Sequence, residues 1–389
     1  MKKNIFLHEP FLIGNEKKYL NNCIKENWIS TAGKYVNIFE KKLCKLTGSK
    51  SVVAVLNGTI GLQMSLILSG IKNSDEVIVP TITFIATINA INHAGGRPIF
   101  VDTEENLNID QEKCIKFIKE RTFVKNNYTY NFKTKKKITA IIIVHTFGNA
   151  ANFDKLYNLC KKRNIKIIED AAESIGTKYN IGKFKNKHTG TIGDFGVISF
   201  NGNKTITSGN GGAILIKNKI LEKKARYLIT QAKNNNIYFI HNEVGYNFKL
   251  SNICAAVGVA QLEKLSIIAK KKKRIFNIYK KKIKKINGLE LLEGPKFATN
   301  NHWLNILRIK SKSYKFDTQK LIRLLIKNKI MARAIWKPNH LQKPFKRFEN
   351  YKIYKALKAY RNCICLPSGP GLSLNDISYV VKILRKGQK

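Results

Sequence analysis

The chain has 389 residues, enough for two or three domains built around a sizeable core. Apolar residues make up 43% and the mean hydropathy is −0.25, which argues against a disordered or membrane-embedded chain. Lys and Arg number 71 against 25 Asp and Glu, a formal net charge of +46. Such an excess suits a polyanion partner, yet Lys, Asn and Ile recur along the whole chain, as biased codon usage would leave them. The seven cysteines, at 23, 44, 114, 160, 254, 363 and 365, are scattered without a CxxC pair, so neither a disulfide framework nor a zinc site follows and a reducing cytoplasm is the simplest setting. After Met1-Lys2-Lys3 the apolar stretch Ile5 to Leu7 is cut by His8-Glu9-Pro10, too short for a signal-peptide core. The longest apolar runs, such as Ile138 to Val144, suit buried strands and fall far short of the ~20 residues of a membrane span.

In chain order, Lys50 to Val55 predicts a strand, Asn57-Gly58-Thr59 a turn, and Ile60 to Leu68 a helix stopping near Gly70. The unit recurs with strand Glu76 to Pro80, a helical segment from Thr83 to Ala94 and strand Arg97 to Asp102. The segment Asn126 to Lys137 reads as a surface hairpin or insertion. Strand Thr139 to Val144, helix Phe153 to Arg163 and strand Ile165 to Ile168 follow, the last running into Glu169-Asp170. Alternation of this kind predicts a parallel sheet with helices on both faces and ligands at the carboxyl ends of its strands. From Gly182 to Gly212 the chain becomes rich in Gly, Asn, Thr and Lys around two short strands, Val197 to Phe200 and Ala213 to Ile216. Long polar loops inside compact domains are usually functional.

After Leu262 a helix is predicted to about Ile286, with Lys270 to Arg274 as a solvated face or, as the alternative, a polyanion patch. A smaller domain follows, with strands at Trp303 to Ile309, Met331 to Ile335 and Cys363 to Leu366 and helices at Thr318 to Asn328 and Asn375 to Arg385. The division is residues 1–265, a large domain with an N-terminal arm, and residues 266–389.

Three segments carry chemistry. Gly58 and Thr59 open a helix, where free N–H groups and the dipole favour a phosphate; an ordinary helix cap is the alternative. Asp170 and Ala172 follow an apolar strand, and face the same way if the strand continues; the carboxylate could bind a cationic ring nitrogen, a Mg²⁺ ion, or serve structure alone. Lys204, in Ser199-Phe200-Asn201-Gly202-Asn203-Lys204 before Gly209-Asn210-Gly211-Gly212, sits in a loop between buried strands where desolvation could make its amine a nucleophile. A phosphate cup, an acid for a pyridinium nitrogen and a lysine for a Schiff base together describe a site for pyridoxal phosphate.

With these segments, and with Trp28 to Lys34 and Pro80 to Ala86, the chain resembles the DegT/DnrJ/StrS sugar aminotransferases. Leu7 to Pro10, His188 to Thr191, Ile198 to Lys204 and His241 to Asn247 bring it nearest to the legionaminic-acid-type 4-aminotransferases. The resemblance implies the α/β fold-type I, aspartate aminotransferase-like architecture: a large domain with a mainly parallel sheet and a smaller C-terminal α+β domain. It makes Lys204 the Schiff-base lysine and proton carrier and Asp170 the partner of the pyridine nitrogen. Phe84 and Ala172 would flank the ring, Glu173 would lie near its hydroxyl, and Gly58, Thr59 and Ser199 would hold the phosphate. Asn247 would reach the same phosphate from a neighbouring subunit of a homodimer, and Thr31 and His340 would face the substrate. The implied reaction moves an amino group from L-glutamate to the C4 ketone of a nucleotide-linked 4-keto-6-deoxy sugar, 2-acetamido in pattern, for surface-glycan or nonulosonic acid biosynthesis. The alternatives are a 3-aminotransferase of a dTDP-3-keto sugar, a dehydratase, which related enzymes mark with His where Lys204 stands, a cofactor-binding regulator, and a basic nucleic-acid-binding protein, for which no module is evident. Lys249 departs from the Arg usual in the family two residues after the Asn, and the two are not interchangeable at bidentate sites.

Overall fold

The computed structural model describes residues 4–235, 237–310 and 312–388, so Met1-Lys2-Lys3 lies outside it. Seven strands, Ser51–Val55 (β1), Glu76–Pro80 (β2), Arg97–Val101 (β3), Ile138–Val144 (β4), Lys166–Asp170 (β5), Phe195–Ser199 (β6) and Gly212–Ile216 (β7), build most of a large sheet. Later come Leu289–Leu291 (β8), Asn305–Ile309 (β9), Arg333–Ala334 (β10), Asn350–Tyr351 (β11) and Cys363–Leu366 (β12). The large sheet has eight strands in the order β1-β7-β6-β5-β4-β2-β3-β11. Pairing is parallel from β6 to β11, whereas β7 runs antiparallel to both β1 and β6. Every residue of β1, β2, β4, β6 and β7 is buried, which is why these strands read as continuous apolar runs: helices cover both faces.

The helices are Glu16–Lys25 (α1), Lys34–Thr47 (α2), Gly58–Leu68 (α3), Ile85–His93 (α4), Gln111–Glu120 (α5), Asp154–Lys162 (α6), Lys219–Leu228 (α7), Asn252–Ile283 (α8), Thr318–Lys327 (α9), Lys355–Asn362 (α10) and Leu374–Arg385 (α11). A hairpin is present but begins earlier than the expected Asn126 to Lys137: Thr122–Lys125 pairs antiparallel with Tyr128–Asn131. A second sheet, ordered β8-β9-β12-β10, lies in the C-terminal third. Its core is shared with α9, α11 and the later turns of α8, through Leu321, Leu325, Val380, Phe276 and Tyr279.

Two expectations shift. The long helix begins at Asn252, capped by the Ser251 hydroxyl that accepts from the Cys254 N–H at 3.4 Å, so the 265/266 division falls inside it. It is the one described helix long and apolar enough by composition to cross a membrane, and half of its most apolar stretch is buried inside the fold. The Lys270 to Arg274 run is not one solvated face. Lys272 is 1% exposed and its Nζ donates to the carbonyls of Trp303 at 3.0 Å and Ser368 at 2.8 Å. Strand β11 also goes beyond the sequence reading: it brings the C-terminal third to the edge of the large sheet, parallel to β3.

Candidate active site

The carboxyl ends of the central strands meet one cavity of about 720 Å³, lined by Gly58, Thr59, Phe84, Asp170, Ala172, Glu173, Ser199 and Lys204 together with residues of the arm and of β10. Eight of the predicted residues, distant in sequence, are therefore brought together. Ligand sites outside the strand ends are the rule in such sheets.

At one side, α3 starts directly after β1. Asn57 is its cap, the side chain accepting from the Ile60 N–H at 3.0 Å; Thr59 lies in the first turn and the cap does not need its hydroxyl. The helix N-terminus faces Ser199 at the end of β6. A Cβ added to Gly58 would come within 3.0 Å of Ser199 Cβ, so a larger residue would close the gap that an anion could fill.

At the centre, Asp170 ends β5. Its Oδ2 accepts from the Thr87 hydroxyl at 2.7 Å, and Thr87 in turn lies 2.8 Å from Thr83 Oγ1. Its Oδ1 accepts from the Ala172 N–H at 3.1 Å. Extended geometry therefore stops at Asp170, and Ala172 reaches the cavity through a turn rather than by strand alternation. The preceding Glu169 is fully buried and accepts from His145 Nε2 at 2.9 Å and from the N–H groups of Gly190, Ile192 and Gly193 at 2.8, 2.6 and 2.6 Å. Burial pushes this carboxyl up, but His145 and the three backbone donors outweigh it and hold the group below the usual carboxylate range. Glu169 thus pins the loop leading into β6, and so fixes the strand that delivers Ser199.

Lys204 stands on the loop after β6, its N–H bonded to Asn201 O at 2.9 Å. Its Nζ lies 3.5 Å from Glu173 Oε1 and 4.4 Å from the centre of the Trp303 ring. Glu173 Oε2 accepts from the Phe147 N–H at 2.8 Å. Burial raises the Glu173 carboxyl to about 7, with Lys204 pulling it down and Asp170 adding to the rise.

Asn247, Thr31 and His340 do not line this cavity. Asn247 is exposed, and His340 Nδ1 lies 2.7 Å from Thr81 Oγ1. Sequence reasoning missed an aromatic wall: Phe147 stacks on Trp336 with ring centres 4.4 Å apart, and Trp303 lies 6.3 Å from Phe147. It also missed Thr87, three residues past Phe84 and so on the same side of α4.

These residues fit pyridoxal phosphate. An amine and a carboxylate occupy one cavity, a helix start with a glycine-maintained gap serves an anion, and Phe84 and Ala172 leave room for a flat ring. The fold and site are those of a fold-type I pyridoxal phosphate enzyme.

Comparison with known proteins gives the same answer. The profile of the DegT/DnrJ/EryC1/StrS aminotransferase family matches residues 11–385. GDP-perosamine synthase of Escherichia coli O157:H7 is 33% identical over 385 residues, covering 99% of this chain and 98% of that one. The UDP-4-amino-4,6-dideoxy-N-acetyl-beta-L-altrosamine transaminase of Campylobacter jejuni is 28% identical over 364 residues, covering 93% and 91%. In fold, the Helicobacter pylori aminotransferase PseC, of pseudoaminic acid biosynthesis, superposes with a TM-score of 0.86 at 24% identity over 99% of both chains. The chain belongs to the DegT/DnrJ/EryC1/StrS aminotransferase family and is a pyridoxal phosphate-dependent aminotransferase.

Proposed function

We propose that the chain transfers the amino group of L-glutamate to the C4 ketone of a nucleotide-linked 4-keto-6-deoxy sugar, 2-acetamido in pattern and of the legionaminic type, for surface-glycan or nonulosonic acid biosynthesis in the cytoplasm. The observation that carries this reading is the convergence of Lys204, Asp170 and the start of α3 on one cavity large enough for a cofactor and a sugar. The names of the relatives, a GDP-perosamine synthase and a UDP-sugar transaminase, support a sugar nucleotide as the acceptor.

Pyridoxal phosphate, when bound, supplies an aldehyde that takes up the amino group and a ring that draws electrons from the carbon losing its proton. Gly58, Thr59 and Ser199 would hold the phosphate, with the α3 dipole favouring its charge. Asp170, fixed by Thr87 and the Ala172 N–H, keeps a proton on the ring nitrogen. Phe84 and Ala172 would bound the two faces of the ring, and Glu173 would exchange a hydrogen bond with its hydroxyl. The Lys204 amine removes the proton from glutamate Cα and returns one on the sugar side, work that typically contributes about 10² to 10⁴ in rate.

The protein works as a homodimer in this reading. Asn247 is exposed outside its own cavity, as a residue serving a neighbour's phosphate must be. The adjoining strand pair Lys233–Asn235 and Ile240–His241 sits beside exposed apolar side chains, Tyr238 and Val244 being 74% and 84% accessible, which a second subunit would cover.

The test is to reconstitute the purified protein with pyridoxal phosphate, follow the visible absorbance of the lysine-bound cofactor, and assay glutamate-dependent amination of UDP- and GDP-linked 4-keto-6-deoxy sugars. Lys204→Ala is expected to lose both signals. Undiminished turnover by that variant, or no amination of either sugar nucleotide, refutes the proposal.

A further inference from the structure

Trp303 belongs to the C-terminal third of the chain, just before β9, yet it touches the lysine loop of the large sheet twice. Its ring faces the Lys204 amine at 4.4 Å, and its Nε1–H donates to the carbonyl of Asn203 at 2.8 Å. Asn203 is the residue directly before the lysine. The indole is itself held on the other side. Its backbone carbonyl accepts from Lys272 Nζ at 3.0 Å, and the same buried ammonium donates to Ser368 O at 2.8 Å and meets His8 Nε2 at 3.1 Å. An ammonium offers three donors and no acceptor, so three acceptors around Lys272 use it fully. Trp303 is 4% exposed, its backbone N–H donates to Asn301 Oδ1 at 3.0 Å, and its ring stacks toward Phe147 and Trp336. Neither a rotamer change nor solvent is available to move it cheaply.

We propose that Trp303 is a positioning residue for Lys204: it fixes the lysine's loop through Asn203 and, through its ring face, favours the ammonium over the neutral amine. The proposal rests on Lys204 being the cofactor-binding lysine. A ring face attracts a cation more strongly the less water competes, and the Lys204 side chain is 11% exposed. The other charged or titratable groups lining the cavity are Asp170 at the end of β5, Glu173 beyond it, His8 and Glu9 of the arm, Arg333 of β10 and Cys365 of β12. Of these, Glu173 is the one that contacts the amine, so Trp303 and Glu173 hold it from two sides. The consequence is chemical. To bond the aldehyde carbon of pyridoxal phosphate, with the aldehyde oxygen leaving as water, the lysine must first give up its extra proton, a step that the ring face beside it opposes.

The experiment is to mix cofactor-free protein with pyridoxal phosphate and follow the growth of visible absorbance across pH, for wild type, Trp303→Leu and Trp303→Phe. Leucine removes both the ring face and the N–H, whereas phenylalanine keeps a face. Loss of the face destabilises the ammonium, so the acid-side midpoint of the capture rate is expected to fall by about 0.4 to 1.5 pH units in the leucine variant. In the phenylalanine variant it should stay near the wild-type value, with a slower plateau from the lost Asn203 bond. An equal rate loss at every pH in Trp303→Leu, or the same midpoint shift in both variants, overturns the proposal. Trp303→Met, unbranched and better able to adapt to the space, replaces leucine if that variant does not fold. Wild-type protein that gains no absorbance at all overturns the Lys204 assignment as well; capture by wild type with an unmoved leucine midpoint overturns the role of Trp303 alone.

Discussion

Replacing Glu173 by Gln tests how the site's electrostatics are built. The carboxyl is buried, and burial, against the pull of Lys204 and with the push of Asp170, raises it from 4.5 to about 7. A raised folded-state value for an acid means that the folded protein prefers the protonated form. Its stabilising contribution is complete below the unfolded value near 4.5 and is lost as pH rises through about 7. The difference is 2.5 pH units, which at 1.36 kcal/mol each gives a loss of about 3 kcal/mol across that window. Gln keeps the shape and the hydrogen bond to the Phe147 N–H without titrating. Relative to wild type, the cofactor-free Glu173→Gln protein should therefore gain stability between pH 4.5 and 7.5, by up to about 3 kcal/mol. Urea unfolding at fixed protein concentration, followed by tryptophan fluorescence at several pH values, measures the difference. Other titrating groups, such as Lys272 and His188, are present in both proteins and cancel. A difference that stays flat with pH, or that moves against the variant as pH rises, refutes this account of the buried carboxyl.

Gly58→Ala brings a Cβ to 3.0 Å from Ser199 Cβ, so affinity for pyridoxal phosphate should fall about tenfold. Pyridoxal without its phosphate should lose much less, and equal losses measured by absorbance titration would remove Gly58 from the phosphate site. For the shared site, Lys204→Ala and Asn247→Ala homodimers are expected to be nearly inactive alone. Refolded together in equal amounts they should recover about a quarter of wild-type activity, because half the dimers are mixed and each carries one intact site. Activity that never exceeds the mean of the two parents argues that Asn247 serves its own subunit or none.

Much of the site was legible because its chemistry is tied to local patterns. Asp170 closes an apolar strand, Gly58 opens a helix, and Lys204 differs from the other lysines by its Gly/Asn-rich surroundings; each signal lies within a few residues. Trp303 carries no such mark. Its importance comes from meeting Asn203 and Lys204 across a sequence gap that no periodicity bridges. Lys272 is a different case. Ile268, Lys272, Ile275 and Tyr279 form one buried stripe of α8, at the spacing of a helix face. The pattern was present, but a run of basic residues offers no polar–apolar contrast by which to tell the inward lysine from its neighbours. The antiparallel course of β7 was hidden for a related reason: strands buried on both faces look alike in either direction. Asp170 and Ala172 show the opposite error, a regular rule extended one residue past the point where the chain turns.

The net charge of +46 first suggested a polyanion partner, and the cavity shows why a whole-chain sum says little about a site. Among its lining residues three acids, Glu9, Asp170 and Glu173, the last raised to about 7, stand with two basic side chains, Lys204 and Arg333, and with His8. A strongly basic protein thus keeps acidic and basic groups close to balance at its reactive centre, and Asp170 is the acid that suits a protonated ring nitrogen. The surplus of lysine lies mostly outside, where salt at physiological strength screens charges beyond about 8 Å. What it can contribute is a long-range field that draws in an anionic sugar nucleotide. Discrimination at the reacting atoms belongs instead to buried groups, where the same Coulomb attraction is far less screened.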